Sequence, residues 1–324
     1  DVAIPLGKLV CITGVSGSGK STLLEEVIYK GLRWHQGDPA GRPGEFTGLE
    51  GDGGKLPVEL VDQRPVGRTP RANLATYSGA LTAIRSLLAG TEAARKRRLQ
   101  PRHFSFNVKG GRCPDCHGDG HEKIEMQFLA DVYVPCPTCG GRRFQPRILE
   151  VTWQGHNIYD ILQLTVQQAR LLFADRGKVI TALQPLLEIG LGYLPLGRSL
   201  NTLSGGEAQR LKLSRHFAGQ ARQPGILLLD EPTTGLHLQD VQQLVDILHR
   251  LVASGYTVVV VEHNLDLVKT ADWIIDLGPE GGVAGGRVVA AGPPQKIARS
   301  RRSHTGRFLR MVLQGKQRQA AVAD

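Results

Sequence analysis

The sequence predicts an α/β protein: a doubly wound, largely parallel sheet into which a second module is inserted. Three observations carry this. The runs "KLVCI", "GILLLD" and "YTVVVV" are short and continuously apolar, the pattern of strands covered on both faces. Helical spacing of apolar residues follows the first run and separates the other two. Between the first run and the later pair lies a long interval holding four cysteines in two C-x-x-C pairs.

Taken in order, Leu9 to Ile12 form a strand bounded by glycine, and Leu23, Leu24, Val27 and Ile28 recur at helical spacing just beyond it. Cys11, flanked by Val10 and Ile12, is expected to be a buried strand residue. Residues 37–54 are glycine-rich with few apolar side chains, which predicts a mobile surface loop. Val241, Leu244, Val245, Leu248, Leu251 and Val252 mark one face of an amphipathic helix between "GILLLDEP" and "YTVVVVEHN". Strand, crossover helix and strand make a βαβ unit. "WIIDLG" and "RVVAAG" supply two more strands, and the basic tail after Arg299, sparse in apolar residues, is expected to fray.

The chain has 324 residues, 41% of them hydrophobic, enough for a substantial core. No run approaches eighteen apolar residues and no signal-peptide pattern opens the chain, so neither membrane insertion nor secretion is indicated and a cytoplasmic location is expected. It starts at Asp1, already close to a strand, and reads as part of a longer protein. A formal charge of +10 favours a polyanionic partner, although a merely soluble basic surface has the same balance.

Gly14 to Ser21, "GVSGSGKS", fits G-x-x-x-x-G-K-[ST] between a strand and a helix, the context of a phosphate loop. Gly14, Ser16, Gly17, Ser18, Gly19 and Thr22 would line it. The glycines let backbone N–H groups face a phosphate, Lys20 would reach the β- and γ-phosphates, and Ser21 would ligate Mg²⁺. ATP with Mg²⁺ is the expected ligand. Asp230 and Glu231 stand at the carboxyl end of "ILLLD", where open α/β sheets place ligands. There Asp230 would hold Mg²⁺ and Glu231 would polarise the attacking water. Taken alone, such a pair could equally cap the next segment.

"LSGGEAQR", Leu203 to Arg210, completes a set of motifs with the phosphate loop, "LLLDEPTTGLH" and "VVVVEHN". In this order they resemble the ATP-binding-cassette (ABC) ATPases. The resemblance implies that Ser204, Gly205, Gly206 and Glu207 begin a helix that clamps the γ-phosphate of ATP held by a partner cassette, two cassettes sandwiching two nucleotides. By itself the same segment also reads as a helix capped by Ser204. His263 matches the family's switch histidine, and Gln63 the glutamine loop linking Mg²⁺ and water to a mobile subdomain.

Cys113-x2-Cys116 and Cys136-x2-Cys139 fit two knuckles for a tetrahedral four-thiolate Zn²⁺. A redox C-x-x-C is the competing reading. Ile124, Met126 and Phe128, then Val132 and Val134, alternate about a turn at Leu129 to Asp131, which predicts a hairpin with a knuckle at each root. So small a module is expected to need its metal in order to fold.

A cassette interrupted by "FSFNVKGGRCPDCHGDG" and closing on "DLGPEGGVAGGRVVAAG" resembles the UvrA family, damage-recognition ATPases of nucleotide excision repair. The likeness runs from about Pro5 to Leu309 and implies the carboxyl-terminal half of such a protein. It implies an ABC-type P-loop core with a helical signature subdomain and an inserted four-cysteine zinc hairpin. The expected divisions are 1–75 and 201–298 for the core, 76–200 for the insertion with its zinc module at 110–145, and 299–324 for the tail. Implied partners are double-stranded damaged DNA, a second cassette in the same protein or a homodimer, and a UvrB-like repair protein. ATP hydrolysis by the chain without a partner cassette is expected to be weak.

Arg102, Lys109, Arg112, Lys123, Arg142 and Arg143 cluster around the knuckles as candidate phosphate contacts, though most surface cations are simply solvated. The alternative function is a half-size protein of this family acting in drug tolerance or partner binding without damage-specific DNA recognition. A transporter ATPase leaves the zinc insertion unexplained, and a coiled-coil chromosome ATPase would need heptads that are absent.

Overall fold

The computed structural model describes the whole chain except residues 39, 63, 65, 68, 70, 127–131, 218–222, 283–284 and 321–324, and the side chains of 239 and 315–320. Ten strands are described: β1 (Leu9–Gly14), β2 (Val58–Val61), β3 (His121–Ile124), β4 (Val132–Pro135), β5 (Thr152–Trp153), β6 (His156–Asn157), β7 (Ile226–Asp230), β8 (Thr257–Val261), β9 (Trp273–Gly278) and β10 (Arg287–Gly292). The chain divides into two compact units, 1–64 with 219–324, and 65–218.

The first unit holds a six-stranded sheet of order β10-β9-β1-β8-β7-β2. Every neighbouring pair is parallel except β10 on β9. Val10, Ile12, Leu228, Val259, Val261 and Ile275 pack with Leu24, Ile28 and Leu32 on one side. Leu9, Cys11, Leu227, Val258 and Val260 alternate with them and are buried as well, which explains the unbroken apolar runs. Burying each such side chain stabilises the fold by roughly 2 kcal/mol. The helix Leu238–Ala253 buries Val241, Leu244, Val245, Leu248 and Leu251, the face its spacing predicts. After the phosphate loop the chain winds as a π-helix over Thr22–Tyr29 before turning α-helical over Lys30–His35.

Two expectations change in this unit. The tail beyond Arg299 is helical over His304–Ala320 and is anchored rather than frayed through its first turns. Leu309 is fully buried, and Ser303 Oγ and Thr305 Oγ1 donate to the buried Asp276 carboxylate at 2.6 and 2.8 Å. Such tertiary anchoring outweighs the weak apolar content of the segment. The glycine-rich stretch 37–54 is largely irregular and exposed, yet Gly44 N donates to Glu26 O at 2.9 Å and Phe46 lies against Gly31, fixing it to the preceding helix.

In the second unit the helices Ala80–Ala89 and Gly177–Glu188 pack together, burying Leu81, Ile84 and Leu88 from one and Val179, Leu183 and Leu186 from the other. Two small antiparallel pairs, β3-β4 and β5-β6, belong here. So does the helix Gly205–Leu213, which carries the "LSGGE" segment; expected with the second part of the core, it clusters instead with the inserted residues.

Candidate nucleotide site and four-cysteine cluster

The carboxyl ends of β1, β7 and β8 bring the nucleotide-site residues of the first unit to one edge of the sheet. Three positive-φ glycines, Gly14, Gly17 and Gly19, shape the loop, and Ser18 N donates to Val15 O at 3.2 Å. Lys20 is buried and its Nζ donates to Val15 O at 2.9 Å, curling back over the loop. Burial lowers its pKa, opposed by the carboxylates of Glu231, Asp230 and Asp276. Ser16, Ser21 and Thr22 are exposed. Burial raises the Asp230 pKa, with the nearby Ser21 hydroxyl working against it.

Two polar atoms of this edge, Ser18 Oγ and Asp230 Oδ1, are buried without a hydrogen-bond partner. Native interiors rarely leave such atoms unsatisfied. A phosphate with its Mg²⁺ would satisfy both, so the residues present fit Mg²⁺-nucleotide: the loop N–H groups and Lys20 for the phosphates, Ser21 and Asp230 for the ion.

Glu231 takes a positive φ of 44°, which turns its side chain at the end of β7. Its Oε1 lies 3.5 Å from His263 Nε2, both side chains being about half exposed. Glu262 has no role in the sequence motifs, yet this residue holds the two loops. It is buried, its Oε1 accepts from Thr233 N at 2.8 Å, and its Oε2 accepts from His263 N at 2.8 Å and Asn264 N at 2.9 Å. An acidic residue directly after a fully apolar strand was the available signal. Gln63 lies outside the described residues.

In the second unit Ser204 caps the signature helix. Glu207 N donates to Ser204 Oγ at 3.2 Å and Ser204 N donates to Glu207 Oε2 at 2.8 Å, a reciprocal capping box. Tyr193 Oη donates to Glu207 Oε1 at 2.7 Å. Partial burial would raise the Glu207 pKa, but the hydrogen bonds from Tyr193 and Ser204 outweigh it and the net shift is downward. Gly205 and Gly206 occupy the first turn, where helix N–H groups await an acceptor.

Cys113, Cys116, Cys136 and Cys139 are all buried, and their sulfurs lie within 4.8 Å of one another. Cys116 Sγ and Cys139 Sγ are 3.7 Å apart. A tetrahedral site with Zn–S bonds of ~2.3 Å requires sulfur separations of about 3.8 Å, so the cluster fits zinc. Gly120 N and Arg143 N donate to Cys116 Sγ and Cys139 Sγ at 3.3 and 3.4 Å, the outer bonds that orient thiolate ligands. Burial pushes the Cys116 thiol up to about 12 and the Cys139 thiol upward, while the backbone N–H of Cys139 lowers Cys136. At Gly118, φ is +90° and a Cβ would stand 2.0 Å from Phe106 O, so the first knuckle closes only on glycine. Phe104, Phe106 and Phe144 are fully buried beside the knuckles, and the Phe106 and Phe144 rings meet edge to face at 6.1 Å.

Beyond this base the hairpin is open to solvent. Ile124, Met126, Val132 and Tyr133 are exposed, and β3 pairs β4 with Ile124 opposite Val132 and Lys123 opposite Tyr133. The turn expected at Leu129 to Asp131 lies outside the described residues, as does Phe128. Among the expected phosphate contacts, Arg102 and Lys109 are exposed. Lys123 pairs with Glu125 at 3.0 Å, Arg112 Nη1 donates to Asn107 O at 3.3 Å, and Arg142 Nε donates to Cys139 O at 3.2 Å. Arg143 is partly buried with its guanidinium 5.5 Å from the centre of the Phe106 ring, and this desolvation lowers its pKa. Arg147, not singled out by its sequence position, is exposed, and its Nη2 donates to Gly110 O at 2.7 Å. With Arg102 it forms a positive group that, after burial, lowers the His103 pKa. In the run at 95–98, Lys96 pairs with Glu92 and Arg97 with Glu150.

The sheet, the phosphate loop and the acidic strand end define a P-loop nucleotide-binding cassette of the ABC class, and the family model described as ABC transporter matches residues 141–234. Within that class the chain is UvrA-like. It is 53% identical over 313 residues to UvrABC system protein A of Methanothermobacter thermautotrophicus, covering 97% of this chain and 32% of the relative. Against UvrABC system protein A of Staphylococcus aureus it is 51% identical over 314 residues, covering 97% and 33%. The crystal structure of UvrA2 from Deinococcus radiodurans superposes with a TM-score of 0.87 and 46% identity, covering 96% of this chain and 37% of that one. The chain thus spans about a third of the length of the curated relatives it matches.

Proposed function

We propose that this chain supplies ATP binding and hydrolysis to a UvrA-like DNA-damage-recognition ATPase of nucleotide excision repair. The observation that carries this is the pairing, in one chain, of an ATPase sheet edge with a four-cysteine knuckle that roots an exposed hairpin among basic side chains. Lys20 and the loop N–H groups would hold the β- and γ-phosphates, and Ser21 and Asp230 would hold Mg²⁺, whose charge would offset that of the phosphate oxygens. Glu231 orients the attacking water, and His263 contacts the γ-phosphate while staying apposed to Glu231.

In this reading Ser204, Gly205 and Gly206 complete the nucleotide site of a partner cassette, so Lys20 and Ser204 serve two different composite sites. That partner is a second cassette in the same protein or a second copy of the chain. Cys113, Cys116, Cys136 and Cys139 would hold zinc, which would tie the knuckles and thereby the hairpin. Duplex DNA is sensed through its backbone and deformation, in keeping with lesions that occur in any sequence, and Gln63 links nucleotide state to the inserted unit. A UvrB-like protein receives the marked site. Among the described residues no helix is long and apolar enough to cross a membrane.

The test compares binding to damaged and intact duplexes with ATP and with ADP, using zinc-replete protein supplied with its partner cassette. A nucleotide-dependent preference for the damaged duplex is expected; equal affinity for both duplexes in every nucleotide state would overturn the reading.

A further inference from the structure

The glycine-rich segment between β9 and β10 supplies no group to the nucleotide site. It lies directly against the phosphate loop. Gly282 N donates to Gly17 O at 3.0 Å, and Gly286 N donates to Ser18 O at 3.1 Å. The approach is backbone to backbone: a Cβ on Gly17 would meet the Gly281 Cα at 3.7 Å, and one on Gly19 would meet the Gly286 Cα at 3.9 Å.

These two bonds act on the peptide planes that matter for a phosphate. Gly17 O shares its plane with the N–H of Ser18, and Ser18 O shares its plane with the N–H of Gly19. In a trans peptide the carbonyl and N–H point in opposite directions. Holding both carbonyls outward therefore aims both N–H groups to the inner side of the loop, where Ser18 N donates to Val15 O while Gly19 N faces the phosphate position, and neither plane can flip without losing a bond. An accepted hydrogen bond also polarises the N–H of the same peptide.

The strap leaves no room for side chains at two positions. A Cβ on Gly281 would lie 2.6 Å from Ser16 O, and one on Gly285 would lie 2.8 Å from Glu280 O and 3.2 Å from the Ser18 Cα. Neither residue has a left-handed φ, so alanine at these positions would strain the contact and not its own backbone. At Gly281 glycine is needed for closeness to the loop; at Gly285 it is needed first for the strap's own turn, against Glu280 O, and then for closeness to the Ser18 Cα.

We propose that Gly281, Gly282, Gly285 and Gly286 form a strap that fixes the Ser18 and Gly19 peptide planes and so positions the phosphate loop for its nucleotide; this rests on the nucleotide reading above. They are positioning residues, acting through the loop without touching the phosphates. Pushing the strap away leaves Lys20, Asp230 and Glu231 in place but lets the loop planes rotate.

The experiment titrates Mg²⁺-ATP into the unmodified chain and its Gly281→Ala, Gly285→Ala and Lys20→Ala variants, with thermal unfolding of each nucleotide-free protein, and measures KM and kcat in the presence of the partner cassette. The strap variants are expected to unfold within a few degrees of the unmodified chain, to bind ATP at least about tenfold more weakly, and to raise KM with little change in kcat. Folded strap variants that bind ATP as the unmodified chain does, while Lys20→Ala loses binding, overturn the strap alone. Unweakened binding by Lys20→Ala would instead remove the nucleotide reading, and the strap with it. Amide exchange of the unmodified chain gives a second readout that needs no variant to fold. Gly282 and Gly286 are expected to be protected without nucleotide, and rapid exchange at both overturns the proposal.

Discussion

His263 Nε2 stands 3.5 Å from Glu231 Oε1, facing it from the loop after the neighbouring strand. The two side chains span the end of the β7-β8 pair, where a hydrolytic water would need both a base and a contact to the leaving phosphate. Glu231→Gln should keep ATP affinity within about threefold while lowering kcat by ~10²-fold or more, and His263→Ala should do likewise. Equilibrium titration with single-turnover hydrolysis checks this. A loss of affinity matching the loss of rate would assign both residues to ground-state binding instead.

Glu262 secures that apposition through three backbone N–H groups on two loops. Glu262→Ala leaves these donors without their acceptor and should destabilise the fold by about 3 kcal/mol, read by denaturant unfolding. Glu262→Gln keeps the shape and one good acceptor and should fall between. In turnover, Glu262→Gln should lower kcat in the presence of His263 and add little in a His263→Ala background, because it acts through the position of that loop.

Zinc removal should affect the two units differently. Chelation, or Cys116→Ser, should release the β3-β4 hairpin and lower the stability of residues 65–218, while the sheet keeps its ATP affinity. Co²⁺ substituted for zinc should give the intense thiolate-to-metal absorption of a four-sulfur tetrahedral site. Full folding of metal-free protein, judged by amide exchange around the knuckles, would return the cluster to an ordinary cysteine core.

The signature helix should respond to acid. Glu207 has a pKa below its unfolded value, so its contribution is complete above the ordinary carboxylate range and is lost as pH falls through the lowered, folded value. Ser204→Ala removes the cap at a cost of about 1 kcal/mol. Glu207→Gln should abolish this part of the acid dependence, since an amide does not titrate. Unfolding measured from pH 6 downward checks both, and identical acid profiles for Glu207→Gln and the unmodified chain would assign the dependence to other carboxylates.

Much of the fold was legible because its signals are local. "ILLLD" and "TVVVV" are strands buried on both faces, which is why their apolar runs are unbroken. The phosphate loop and the cysteine pairs carry their chemistry within a few residues. Other features depend on partners distant in sequence. The tail helix is held by Asp276, whose carboxylate also accepts from Thr13 Oγ1 at 2.7 Å, and no periodicity near Ser303 announces that contact. Glu262 looks like a strand terminator until the positions of Thr233 and Asn264 are known. Arg143 and Arg142 are neighbours of the same type, yet one lies over the Phe106 ring and the other reaches the Cys139 carbonyl, a distinction only packing makes. The glycines after β9 announce no role in the sequence, because that role depends on Ser16 O and the Ser18 Cα.

The proposed function requires that nucleotide held by Lys20 govern how the metal-held hairpin engages DNA. Its most direct test is the dissociation constant for a damaged duplex, measured at fixed salt on zinc-replete protein with its partner cassette, in ATP and in ADP, for the unmodified chain and Lys20→Ala. A difference of at least about fivefold between the two nucleotides is expected, and it should vanish in Lys20→Ala. Equal affinities in ATP and ADP for the unmodified protein, with nucleotide bound in both, would contradict it.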